Sequence, residues 1–168
     1  MNNVITGNII RFLALVLVQV LIFNHVNFLG YLNPYIYILF IAFFPIKNNR
    51  IILIALSFLL GLTIDMFMDS GGIHASASVF IAYIRPFLLK SSFGMQYEHQ
   101  TVRFSAIDLG SKITYIAFLV LAHHLILFSL EIFSISKILL TLQKTLFSSI
   151  FTILISVIIS IIFSRQSK

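Results

Sequence analysis

Six apolar runs, over residues 5–23, 28–46, 51–68, 73–89, 113–130 and 138–163, fill most of the chain, with only short polar breaks between them. An α-helix needs about 20 such residues to cross the ~30 Å hydrocarbon core of a bilayer. With 60% of 168 residues hydrophobic and 10% charged, too little polar surface remains to clothe a water-soluble domain. The expectation is an all-α, polytopic integral membrane protein, a single domain over residues 1–168 with about six transmembrane helices.

Two runs leave the span count open. In the second, Asn33 and Pro34 have the character of an N-cap and first helical residue, so a helix over 34–46 would be only about 20 Å long. It is either short and shielded by its neighbours or kinked at Pro34. The fourth run is marginal in length and carries Arg85 and Pro86, so the chain has either six spans or five plus a re-entrant segment. In the last run Lys144 is an interruption, and "SKILLTLQK" has the spacing of a short interfacial helix leading into a span over 145–163. The first run holds Arg11 inside it and no small-residue cleavage site follows, so it reads as a retained anchor.

The charges orient the spans. Eleven Lys and Arg against five Asp and Glu occur singly or in pairs at the ends of runs, a pattern that argues against a nucleic-acid surface. In a six-span arrangement Arg11, Lys47, Arg50, Arg85, Lys90, Arg103, Lys112, Arg165 and Lys168 fall on one side, and the short breaks opposite hold Lys137 alone. The positive-inside rule then places both termini, and the polar loop 91–111 along the membrane surface, in the cytoplasm. Arg11 and Arg85 read as orientation anchors whose long side chains snorkel to the interface. With no cysteine, the chain has no disulfide framework or thiolate metal site.

One stretch, "GLTIDMFMDSGGIHASAS" at 61–78, concentrates what a bilayer penalises. Gly61, Asp65 and Asp69 recur every four residues and so share a helix face, from which the two carboxylates can address a common partner. A charged side chain at the bilayer centre costs on the order of 2.5–3.5 kcal/mol on insertion scales, so Asp65 is the principal intramembrane polar candidate and Asp69, nearer the interface, the lesser one. Ser70 or Asp69 can cap a following helix, Gly71 and Gly72 allow a tight reversal, and His74 falls in the next first turn. Gly71, Ala75, Ser78 and Ala82 then form a small-residue stripe along which another helix can approach. His123 and His124, in the fifth run, lie on the same outer half. Two aspartates and one histidine could chemically make a metal site, but adjacent residues project about 100° apart, so both histidines cannot easily join it.

"GLTIDMFMD" fits G-x3-D-x3-D, half of the signature of the CDP-alcohol phosphatidyltransferases, but the upstream "YILFIAFFPIKNNRIILIALSFLL" supplies no acidic residue for the other half. A catalytic site, a metal and a cofactor are therefore not expected. The stretch with its continuation, "GLTIDMFMDSGGIHASASVFIAYI", resembles the rod shape-determining protein MreD family, as do the chain length and the six-run hydropathy. The match carries over Gly61, Asp65, Gly72 and Ala75. What the resemblance implies is a non-enzymatic scaffold of the bacterial cell-elongation machinery in the cytoplasmic membrane. Its partners would be membrane lipids, MreC, MreB, RodA and the elongation-specific penicillin-binding transpeptidase, and its role the regulation of cell shape and peptidoglycan synthesis. That family is also similar in fold to the S components of energy-coupling-factor transporters. The alternative expectation is accordingly a small-molecule-binding membrane module, although the first span, "RFLALVLVQVLIF", lacks the small-residue pattern such components use for docking.

Overall fold

A computed structural model describes residues 2–26, 33–45, 49–94 and 108–165. Among the described residues six α-helices follow one another: α1 (Asn2–Leu21), α2 (Ile38–Ala42), α3 (Arg50–Met68), α4 (Ile73–Phe93), α5 (Leu109–Ile132) and α6 (Ile138–Arg165). No strand occurs among the described residues. Four of these helices, α1 with its 3-10 extension, α3, α5 and α6, are long and apolar enough to cross a membrane. The chain is therefore an all-helical protein of membrane-spanning character.

α3, α4, α5 and α6 pack each against the next, α1 lies against α2 and α3, and α2 sits between α1, α4 and α5. Polar caps set the helix starts. The Asn49 side chain accepts the amide N–H of Ile51 to open α3. Asp108 accepts that of Ser111 to open α5, and this bond holds the exposed Asp108 carboxyl below its usual range.

The second expected span is not a helix over 34–46. Its described part is irregular as far as Tyr37 and then makes five helical residues, about 7.5 Å of helix. Its shortness is compensated by enclosure: every residue from Tyr35 to Ala42, and Phe44, is at most 6% exposed. Non-helical backbone at membrane depth is tolerated only inside protein or beside a water-filled cavity, and here protein supplies the cover. Ile46 and Lys47, with residues 28–32 of the expected run, lie outside the described residues, as do Arg103, Lys168 and loop residues 95–107.

α4 is one uninterrupted helix of 21 residues that absorbs Pro86 in its interior. It has the length to span, while His74, Arg85 and Lys90 reduce its apolarity. α6 also runs unbroken, over 28 residues, so "SKILLTLQK" is not a separate interfacial helix. Lys144 does not interrupt it because its Nζ donates to Glu131 at 2.8 Å, at the end of α5. The inward face of α6 carries buried hydroxyls, among them Thr145, Ser149, Thr152 and Ser156. Such short polar side chains let α6 pack closely.

Candidate functional site

At the α3–α4 junction the sequence forces the backbones into contact. A Cβ built on Gly61 would lie 2.5 Å from the carbonyl oxygen of His74 and 2.6 Å from the amide nitrogen of Ala75, so no side chain fits there. One turn further along α3, Asp65 is buried and faces the start of α4. Its Oδ1 accepts the amide N–H of His74 at 2.9 Å and the hydroxyl of Ser70 at 2.5 Å, and its Oδ2 accepts the amide N–H of Ala75 at 2.8 Å. Asp65 is thus the N-cap of α4, supplied from the preceding helix. Gly72, the local cap residue, has a φ of 95° and no side chain to offer.

Asp69 does not share a partner with Asp65. It ends α3 in the left-handed conformation, φ 52°, its N–H returns to the Asp65 carbonyl, and its side chain is exposed. Neither Asp69 nor Ser70 is the N-cap of α4, although the Ser70 hydroxyl does help to hold Asp65. Gly71 (φ 66°) belongs to the turn and not to the small-residue stripe. The remaining stripe residues, Ala75, Ser78 and Ala82, are buried within the chain itself. What α4 offers there is covered by its own neighbours, and Ala75 lies directly under Gly61.

The irregular segment before α2 brings two tyrosines into the middle of the histidines. Tyr37 Oη lies 2.8 Å from His74 Nδ1 and 2.7 Å from His123 Nε2. A hydroxyl has one proton, so one ring accepts it and the other donates to the oxygen. The second unit of the cluster is fixed in direction. His124 Nδ1 lies 2.9 Å from the Val120 carbonyl, which can only accept, so Nδ1 carries the proton. Nε2 of His124 then accepts from Thr152, 3.2 Å away, and the Thr152 oxygen accepts the amide N–H of Tyr35 at 3.2 Å. The Tyr35 ring packs between His74 and His124, with centroids 5.3 and 5.4 Å away.

Both His123 and His124 are interior, and their side chains do not share a hydrogen-bond partner: His123 meets Tyr37, and His124 meets Val120 and Thr152. The Tyr35 ring lies against both imidazoles, with centroids 6.3 Å from His123 and 5.4 Å from His124. His123 Nδ1 is buried with no hydrogen-bond partner among the described residues.

Three further residues were missed as participants and hold the short helix in place. Gln19, fully buried in α1, accepts the amide N–H groups of Ile36 (2.8 Å) and Tyr37 (3.4 Å) and donates to the Pro34 carbonyl at 3.1 Å. At the other end Arg85 is 4% exposed and does not snorkel. It donates through Nε to the Tyr115 hydroxyl at 3.0 Å and through Nη2 to the carbonyls of Ala42 and Phe44, while Tyr115 also donates to Ala42 O at 3.2 Å. The available signal was an amide inside an apolar run, at Gln19. Among the described residues no group of three His, Cys, Asp or Glu side chains is arranged to hold a metal ion. What the cluster supplies is two buried hydrogen-bonded units, at Tyr37 and at His124, that order an irregular segment. Comparison of the chain with protein-family models, curated proteins and solved structures finds no match.

Proposed function

We propose that the chain is a non-enzymatic membrane scaffold of the bacterial cell-elongation machinery, resembling the MreD family, that takes part in the regulation of cell shape and peptidoglycan synthesis. The observation that carries the reading is the use made of the G-x3-D stretch. Gly61 brings two backbones together and Asp65 is consumed in capping α4, which supports a motif that builds a rigid hairpin rather than one that presents a carboxylate to a substrate. In this reading the protein lies in the cytoplasmic membrane with both termini inside, has the S-component-like fold, and associates with MreC, MreB, RodA and the elongation-specific transpeptidase.

Depletion of the protein tests it. Rod-shaped cells should become spherical, new wall material should cease to be inserted along the cell length, and tagged protein should co-purify an MreC-like partner. Normal shape and normal insertion after depletion would sink the proposal.

A second reading, a small-molecule-binding membrane module, is favoured by one observation: the buried Tyr37–His74–His123 group beside a broken helix, with His123 Nδ1 unpartnered among the described residues. Mass spectrometry of small molecules retained after mild extraction separates the two readings. A stoichiometric, Tyr37-dependent ligand supports the module, and none supports the scaffold.

A further inference from the structure

The end of the bundle opposite the histidine cluster carries a buried charge with no carboxylate beside it among the described residues. Arg85 is buried, and its guanidinium is held at the Tyr115 hydroxyl and the carbonyls of Ala42 and Phe44, with no carboxylate paired to it among the described residues. Arg11, from α1, reaches the same place: its Nη1 donates to the carbonyl of Phe43 at 3.3 Å. Two guanidinium groups from different helices thus sit on consecutive carbonyls of one segment. The ends of a five-residue helix offset only part of that charge, since a macrodipole amounts to about half an elementary charge even in a long helix. A buried cation without a counter-charge is costly in a low-dielectric setting, and an anion placed beside it recovers much of that cost.

The surroundings say which anion fits. Beside Arg11, α1 presents Ile10, Leu13, Leu17 and Leu21 outward, each more than half exposed and all on one face. Of the apolar window of α1 only 11% is buried against the rest of the bundle. A charged pair at the head of an apolar lane, on a weakly packed helix, matches a molecule with a phosphate at one end and acyl chains at the other. Basic pockets between membrane helices recognise lipid headgroups by this chemistry.

We propose that Arg11 and Arg85 form a binding site for the phosphate of an anionic phospholipid, with its acyl chains laid along α1. The site does not depend on the scaffold reading. Arg85 is the fixed donor, because three protein acceptors orient it. Arg11 is the adjustable one, being exposed and held by a single bond.

The test is thermal unfolding of the full chain in neutral detergent micelles doped with phosphatidylglycerol, with phosphatidylcholine, or supplied with inorganic phosphate. Phosphatidylglycerol should raise the midpoint, and the other two should leave it unchanged. Arg11→Gln should weaken the apparent affinity for phosphatidylglycerol about five-fold, whereas Lys137→Gln, which removes the same charge at the opposite end, should not. Equal stabilisation by phosphatidylcholine, an equal effect of inorganic phosphate, or equal behaviour of the two variants overturns the assignment. Native mass spectrometry of the unmodified chain gives a readout independent of any variant. Preferential retention of phosphatidylglycerol from an equimolar mixture is expected, and equal retention of both lipids also overturns the proposal.

Discussion

The carboxylate of Asp65 lies 2.8 Å from the amide nitrogen of Ala75, ten residues further along the chain, and so the end of α3 is written into the start of α4. Two amides and a hydroxyl converge on the same group. Asparagine keeps the shape but offers a single acceptor oxygen, so Asp65→Asn leaves one buried N–H unpaired and removes the charge assistance from the other. The expected loss is about 2–3 kcal/mol. Asp69, exposed and in a left-handed conformation that glycine adopts freely, gives the opposite result: Asp69→Gly should be neutral or slightly stabilising. Detergent-driven unfolding of both variants in mixed micelles, followed by circular dichroism, measures the contrast.

Gly61→Ala should be among the most damaging single-methyl additions to this chain. The new Cβ meets backbone atoms of His74 and Ala75, which have no rotamer through which to yield, so α3 and α4 must separate. Overpacking of this kind costs about 1–3 kcal/mol, and separating the helices also stretches the Asp65 bonds. Gly7→Ala is the matched control, since nothing lies within 4 Å of a Cβ there. It should be tolerated or stabilise α1. Unfolding midpoints of the two alanine variants, read side by side, check the pair.

The helices were legible because long apolar runs have one low-cost state in a bilayer, and α3 and α5 follow their runs closely. The second run was not legible in the same way. Residues 34–37 abandon the helix only because Gln19 and Thr152, far away in sequence, satisfy the freed backbone groups. Arg85 was misread for a related reason. Its position near a run end suggested snorkelling, yet its partners are carbonyls of a segment that a continuous helix would not have exposed. Asp65 stood out as an expensive charge, but its partners are backbone amides, which every residue carries and no sequence pattern marks.

Gln19→Leu separates lipid preference from internal satisfaction. By hydropathy the substitution suits the first span better, and insertion into the membrane should improve. The folded state should nevertheless weaken, because the Ile36 and Tyr37 amides and the Pro34 carbonyl lose their partner in a buried place. With each unpaired group worth about 1–3 kcal/mol and some relaxation among them, a net loss of about 3 kcal/mol is expected. Normal membrane levels combined with a lowered unfolding midpoint is the predicted signature. An unchanged midpoint would mean that Gln19 does not hold the segment.

Tyr37→Phe tests the histidine group without altering its packing. The ring stays between the same neighbours, but His74 Nδ1 and His123 Nε2 lose the oxygen that joins them. His123 Nδ1 already has no partner among the described residues, so the variant strands the whole imidazole of His123 in a buried site. A destabilisation of about 1–3 kcal/mol follows from the unpaired nitrogens. The more specific readout is nitrogen chemical shift. In the parent chain His74 and His123 should hold opposite roles toward one hydroxyl, giving two fixed ring-nitrogen patterns. In Tyr37→Phe both patterns should change, while His124, anchored independently by Val120 and Thr152, keeps its proton on Nδ1. If His124 shifted as much as His123, the two units would be a single coupled network rather than separate locks on the same segment.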